Sequence, residues 1–273
     1  MKRDGAAVFW VNTTVLSKAR ALRRAGLRPT TIFAFAATLA ATPLAAAEGF
    51  SPPKGCETFL TVQSRECSVS LLWRCEGGDG GPIWEADFSQ DGLQSVVSYS
   101  SGYQWLDAVY MWDSSREEFV PPAIDPIDLD TLIATGIDTY DFTMRRSEPQ
   151  GTRDLRMVGA DQLTGRSVTI DGHALEAVAT ELRILREDGS VEYQSRGVQY
   201  LSHDLGLFFL GRETVTGSDG VATDYDGTPV DIIRPGEPGF GASVPLYDCN
   251  PQDAGFVPTA PIHGQEETTD DRI

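Results

Sequence analysis

Cations are scarce in this sequence once its first 47 residues are set aside. Residues 1–47 hold seven of the 22 Lys and Arg residues and one of the 40 Asp and Glu residues. The rest of the chain therefore carries 15 basic and 39 acidic side chains, a formal charge of −24, with Lys54 as its one lysine. Such a surface repels nucleic acids and anionic lipid headgroups, whose binding needs clustered cations, and we predict no nucleic-acid partner. The acidity fits a cationic partner, a divalent metal or solubility in a salty medium, and we favour solubility.

Motifs for nucleophilic catalysis and zinc binding are also missing. There is no Gly-x-Ser-x-Gly elbow, no Cys-x-x-Cys pair and no Cys/His spacing of zinc type. His203 lies at a predicted bend beside Ser202, but neighbouring strand residues point to opposite faces of a sheet. We therefore predict no catalytic residue, no cofactor and no metal site. A hydrolase that uses His203 or acidic residues is kept as an alternative.

One acidic loop leaves a second alternative open. Asp219, Asp224 and Asp226 lie among glycines, and calcium takes oxygen ligands from flexible loops. The spacing lacks the order of an EF-hand, so a polar hairpin tip is the favoured interpretation.

No apolar run reaches the length of about 20 residues that a secure membrane anchor needs. The longest candidate, 31–47, is rich in Ala and Thr, follows several arginines and ends in small residues before Glu48. This order is typical of a secretory signal peptide. We predict a signal peptide over residues 1–47, cleavage after Ala47, and a periplasmic or secreted protein.

Four cysteines follow the predicted cleavage site, which indicates two disulfides in an exported protein. Cys67 and Cys75 enclose a strand-like segment without Gly or Pro, whose ends would lie about 26 Å apart. A disulfide needs Cα atoms within about 7 Å, so this pair is disfavoured. A hairpin that turns near residues 64–66 would place Cys56 beside Cys75, which leaves Cys67 with Cys249.

For most of the chain after Cys56, the sequence predicts short strands between turn residues. The clearest helix signal covers residues 125–136, with Asp125 as cap, Pro126 at the first helical position and Gly136 at the exit. Residues 173–187 show a helical stripe, but two Asp-Gly turns bracket them, and we predict a strand. We predict one mainly β domain over residues 48–249, a curved antiparallel sheet or half-barrel, followed by a disordered acidic tail over 250–273.

Aromatic residues favour the first third of this domain, and they suit either a ligand pocket or a packed core. Our predicted ligand-binding residues share an aromatic ring and a predicted strand or its end: Trp105, Tyr110, Trp112, Tyr140, Phe142, Tyr200 and Phe208.

Residues 168–209 run through a strand, Asp171-Gly172, a long segment, Asp188-Gly189 and a strand pair around Tyr200-Leu-Ser-His-Asp-Leu-Gly206. This pattern resembles the meander of periplasmic half-barrel proteins, the outer-membrane lipoprotein carriers and their uncharacterised relatives. The resemblance implies a curved sheet that holds an acyl chain or similar apolar ligand. Four cysteines and strong acidity depart from that pattern, and no ligand-contacting residue is carried over.

The leading function is therefore non-catalytic binding of an apolar ligand, such as a lipid or acyl chain, in the concave face of the sheet. The alternative is an envelope structural or protein-interaction module without a pocket.

Overall fold

The structure is a computed structural model that describes residues 50–75 and 81–249. The predicted signal peptide (1–47) and acidic tail (250–273) lie outside these residues. The elements of the described chain are β1 (Cys56–Ser64), β2 (Ser68–Cys75), β3 (Ile83–Ser89), β4 (Gly92–Tyr99), β5 (Trp105–Tyr110), β6 (Ser115–Asp125), α1 (Leu129–Thr135), β7 (Ile137–Glu148), β8 (Gly151–Ile170), β9 (His173–Leu185), β10 (Val191–Ser202), β11 (Leu207–Phe209), β12 (Arg212–Gly217), β13 (Ala222–Asp226) and β14 (Pro229–Ile233).

All these strands belong to one antiparallel sheet, in which most neighbours in sequence are also neighbours in space. β13 forms one edge, β14 pairs with β1 at the other edge, and β11 pairs with the end of β10. Only Gly227 and Thr228 separate the two edge strands along the chain. The sheet therefore curves until its edges approach each other, although it does not close into a barrel. The predicted fold class is confirmed.

The concave face carries the main apolar core. Strand side chains alternate between the two faces, and Leu60 and Val62 on β1 point inwards, as do Phe142 and Met144 on β7. Full burial of such a side chain contributes about 1.5–3 kcal/mol. Leu132 of α1 joins the same core, so the helix closes one end of the curved sheet.

Strands β2 and β3 reverse the usual arrangement, because their polar residues face inwards. Most of their apolar residues face outwards and are nevertheless buried: Val69, Leu71, Trp73, Ala86 and Phe88. Leu72 and Ile83 belong instead to the concave core. Phe50 packs on this cluster, with ring centroids 5.4 Å from both Trp73 and Phe88. This cluster forms a second, smaller core on the convex face.

The chain after β14 lies against the convex face of β1. The Gly241 amide donates to the Thr61 hydroxyl (2.9 Å), and the Gln63 side chain bonds the backbone of Val244 and Leu246 (3.1 and 3.0 Å). These bonds satisfy two polar side chains of β1 that are fully buried.

Both predicted disulfides are confirmed. Cys56 and Cys75 are direct partners across the β1–β2 hairpin, and their disulfide closes its open end. The Cys67–Cys249 disulfide joins the β1–β2 turn to the segment that lies against β1. The long cross-link therefore anchors this segment of the chain.

The helix begins later than the sequence predicts, and this expectation is corrected. α1 starts at Leu129 and is capped by Asp128, whose carboxylate accepts two amides of the first turn. Asp125 instead ends β6, where its carboxylate accepts the hydroxyl of Thr139 (2.7 Å). Gly136 ends the helix as predicted, at a φ of 84°.

The remaining elements follow the prediction unevenly. β9 confirms the predicted strand over residues 173–187, and β8 is one 20-residue strand, longer than the short strands that the sequence predicts. β6 and β13 were not predicted. In the described part of the chain, no helix is long and apolar enough to cross a membrane.

Candidate functional site

A cavity of about 510 Å³ lies inside the curved sheet. Strands β1 to β5 supply one wall and β7 to β12 supply the other. Small-molecule sites span about 300–1,000 Å³, so the volume is of the right size for a ligand. The aromatic residues of its lining are Tyr99, Tyr103, Trp105, Tyr110, Trp112, Tyr140, Tyr193, Phe208 and Phe209.

The two ends of the cavity differ. Tyr103 lies in the turn after β4, next to Gly102, whose carbonyl accepts the Leu129 amide of α1 (3.1 Å). At the other end, Asp91 and Trp112 lie in the turns after β3 and β5 and are exposed. The helix therefore closes the floor, and the cavity reaches the surface near Asp91 and Trp112.

Five of the seven predicted ligand-binding residues line this cavity: Trp105, Tyr110, Trp112, Tyr140 and Phe208. Phe142 does not, because it is 1% exposed and packs edge-on against Trp105 within the core. Tyr200 packs against the same core beside Gly211 and also lies outside the lining. A binding role for these residues stays a prediction.

The cavity also contains a pair of carboxyl groups that the sequence analysis missed. Glu85 and Asp87 are two residues apart on β3, so both point inwards. Asp87 accepts the hydroxyls of Ser70 (2.5 Å) and Ser95 (2.8 Å), which lie beside it on β2 and β4. Glu85 accepts the hydroxyl of Tyr99 (3.2 Å). Hydrogen bonds from neutral groups on both adjacent strands therefore fix this pair.

The protonation of this pair follows from its position. Burial, together with the charge of Asp87, raises the pKa of Glu85 to about 8. Burial also raises the pKa of Asp87, while the hydroxyls of Ser70 and Ser95 oppose this rise. Burial therefore favours the protonated form of both carboxyl groups, and the two titrate as a coupled pair.

Two further carboxyl groups lie on the opposite wall, three strand spacings apart. Asp161, Thr180, Gly197 and Glu213 are successive cross-strand partners from β8 to β12. Burial, with the charge of Asp138 added, raises the pKa of Asp161 to about 7. Burial likewise raises the pKa of Glu213. Both walls of the cavity thus present carboxyl groups whose ionisation is disfavoured.

Arginines next to the cavity are already neutralised by other acids. Arg146 is fully buried and bonds Glu117 (2.7 Å) and Asp113 (2.5 Å), and its charge lies 5.6 Å from the ring centre of Tyr110. The complete network combines three arginines with four carboxylates: Arg146, Arg153, Arg186, Asp113, Glu117, Glu148 and Glu192. This network contributes no net positive charge to the cavity.

His203 lies away from the cavity. Its Nε2 atom is 2.9 Å from a carboxylate oxygen of Glu176, and its side chain is 45% exposed. The neighbouring Ser202 hydroxyl accepts the Leu205 amide (3.3 Å). The histidine, the hydroxyl and a ligand cavity therefore do not meet, and the hydrolase alternative through His203 gains no support from the geometry.

The acidic loop over residues 219–227 is partly a strand, β13. Asp224 accepts the hydroxyl of Thr214 (2.7 Å) and Asp226 pairs with Arg212 (2.8 Å). Across residues 50–75 and 81–249, no group of three or more His, Cys, Asp or Glu side chains is arranged to hold a metal ion.

The sequence around Glu85 and Asp87, which the sequence analysis missed, does contain a pattern that predicts a strand. Residues 84–89 of β3 alternate strictly between apolar and polar residues, as expected for a half-buried strand. Alternation alone assigns Glu85 and Asp87 to solvent, because the apolar set normally faces the core. The second core on the convex face reverses this assignment, and nothing local in β3 indicates it.

Comparison with known proteins found no protein family, no curated protein and no solved structure that matches this chain. The resemblance to periplasmic half-barrel proteins therefore stays a prediction.

Proposed function

We propose that this chain is an exported, non-catalytic binding protein that holds a small, mainly apolar ligand in the cavity of its curved sheet. The observation that carries the proposal is the cavity itself, with its nine aromatic lining residues. Aromatic rings provide large apolar area with few flexible bonds, and pockets of this volume bind small molecules.

Export is part of the proposal. Disulfides persist in oxidising compartments, and the described chain contains two of them and no free cysteine. Together with the signal-like sequence over residues 1–47, they support a periplasmic or secreted location.

The interaction-module alternative has weaker support. Such a module has no need of an internal cavity, and close packing of the sheet interior would favour its stability. A cavity that reaches the surface at Trp112 favours ligand binding instead.

The test uses the neutral apolar dye N-phenyl-1-naphthylamine, whose fluorescence rises in apolar surroundings. We expect saturable binding of one dye to the full-length exported protein. Trp112→Ala should weaken this binding several-fold, because Trp112 lines the mouth of the cavity. Met111→Ala is the matched control, since Met111 is an equally exposed neighbour that does not line it. Absence of saturable binding to the wild-type protein would overturn the proposal.

A further inference from the structure

We propose that the cavity selects an organic cation, a ligand whose amine or quaternary ammonium group lies beside Glu85 and Asp87 and whose apolar body contacts the aromatic walls. This inference rests on the proposed function, because it names the ligand class for the same cavity.

The first argument is the charge of the lining. Five carboxyl side chains line the cavity, and none of its described lining residues is Lys, Arg or His: the five are Glu85, Asp87, Asp91, Asp161 and Glu213. A ligand carboxylate or phosphate would make ionisation of these acidic groups still less favourable, whereas a cation would favour their ionised form and pair with it on both walls.

The second argument is a contrast between the two faces of the sheet. Carboxylates on the convex face form ion pairs with nearby arginines, for example Asp107 with Arg116 and Asp154 with Arg145. Within the described residues, none of the five lining carboxyls has such a partner. A buried carboxyl ionises readily only beside an opposite charge, so a cationic ligand would supply the counter-charge that the chain does not.

The third argument is the group of rings beside Glu85. Tyr99 donates its hydroxyl to Glu85 and stacks on Tyr103, with ring centroids 5.0 Å apart. Phe208 packs edge-on against Tyr103 at 5.1 Å. The faces of aromatic rings attract ammonium groups, and aromatic cages bind quaternary ammonium ligands. Carboxyls and rings therefore favour the same class of ligand at the same place.

The experiment compares three probes with the same eight-carbon chain: octyltrimethylammonium, octanoate and octanol, each used below its aggregation limit. The quaternary ammonium group keeps its charge at every pH. Each probe competes with N-phenyl-1-naphthylamine for the full-length protein at physiological ionic strength, which screens the general negative surface beyond about 8 Å. We expect the cation to bind about tenfold or more tightly than octanol, with octanoate weakest.

Two variants place the selectivity at the carboxyl pair. Glu85→Gln and Asp87→Asn each keep the shape of the side chain. The double variant that combines them should show a preference for the cation over octanol that is about tenfold smaller. Glu118→Gln is the matched control, because Glu118 is an exposed residue of β6 and the substitution removes one charge outside the cavity. Dye binding by each variant shows that the cavity is intact.

The outcomes separate the two proposals. If the dye and all three probes fail to bind, the proposed function is wrong. If the dye binds but octanol or octanoate displaces it as well as the cation does, the cavity binds ligands without this selectivity, and only the cation inference is wrong. Equal cation preference in the wild type and the double variant would likewise overturn the inference.

Discussion

Tyr140 can line the cavity because residue 159 has no side chain. A Cβ atom at Gly159 would lie 2.4 Å from the Tyr140 ring and 2.2 Å from the Glu181 carbonyl oxygen. The Tyr140 hydroxyl donates to that same carbonyl (3.1 Å), which fixes the ring over the backbone of β8. Sequence reasoning selected Tyr140 from its alternating strand but could not foresee this glycine, whose partner lies on another strand.

Gly159→Ala should destabilise the protein by about 1–3 kcal/mol, because the added methyl group collides with backbone as well as with the ring. The same variant should weaken dye binding, since Tyr140 must move. Urea denaturation and dye titration measure both effects. Gly102→Ala is the control, because its nearest neighbours would lie 3.8 Å or more from the new Cβ. Equal stability of the two variants would contradict this packing.

At the scale of elements, the sequence predicts the positions of the strands better than it predicts which face of each strand points inwards. The alternation over β7 and the Asp-Gly turns around β9 are local signals, and both elements form where predicted. The inward face of β3 depends on Phe50 and on the outward cluster of β2, which are distant in sequence or on another strand. Local patterns could therefore find this strand but not its carboxyl site.

The helix cap offers a prediction at this scale. Asp128→Ala should lower the free energy of unfolding by about 1 kcal/mol, because two amides of the first turn lose their acceptor. Asp125→Ala should cost less, since it removes a single exposed hydrogen bond from Thr139. Chemical denaturation of both variants checks the order. A larger loss for Asp125→Ala would favour the earlier helix start that the sequence suggested.

At the scale of the whole molecule, cysteine spacing was the most informative long-range signal. Excluding one pairing by strand geometry left two of the three connectivities, and the predicted hairpin selected the correct one, which includes a disulfide that spans 182 residues. No comparable sequence pattern indicates the cavity, because the residues that line it come from strands throughout the chain. Composition revealed the acidity but not that five carboxyls face inwards.

The buried carboxyls predict how stability depends on pH. The pKa of Glu85 is raised to about 8 and that of Asp161 to about 7, whereas both groups titrate near pH 4 when unfolded. Between these values the folded state binds more protons, so the stability that these groups contribute is complete below about pH 4 and falls as pH rises to 8. The slope reaches at most about 1.4 kcal/mol per pH unit for each group.

Urea denaturation between pH 5 and pH 8 tests this prediction. Glu85→Gln should flatten part of the slope, because the amide cannot ionise. Asp87, Tyr99 and Tyr103 are the other titratable groups around Glu85, and Arg74 lies near Tyr103. Exposed pairs such as Asp141–Arg156 act in the opposite direction, since the pKa of Asp141 is lowered, and their effect falls below this pH window. Stability that rises from pH 5 to pH 8 would contradict the placement of these acids.

The most direct test of the central claim, a ligand inside the concave face, is an NMR titration of isotope-labelled protein with octyltrimethylammonium. The account predicts saturable shifts of the ring signals of Tyr99, Tyr103 and Phe208, which line the cavity, with little change in the methyl signals of Val69 and Leu71 on the convex face. Shifts confined to the convex face, or none at saturating probe, would contradict it.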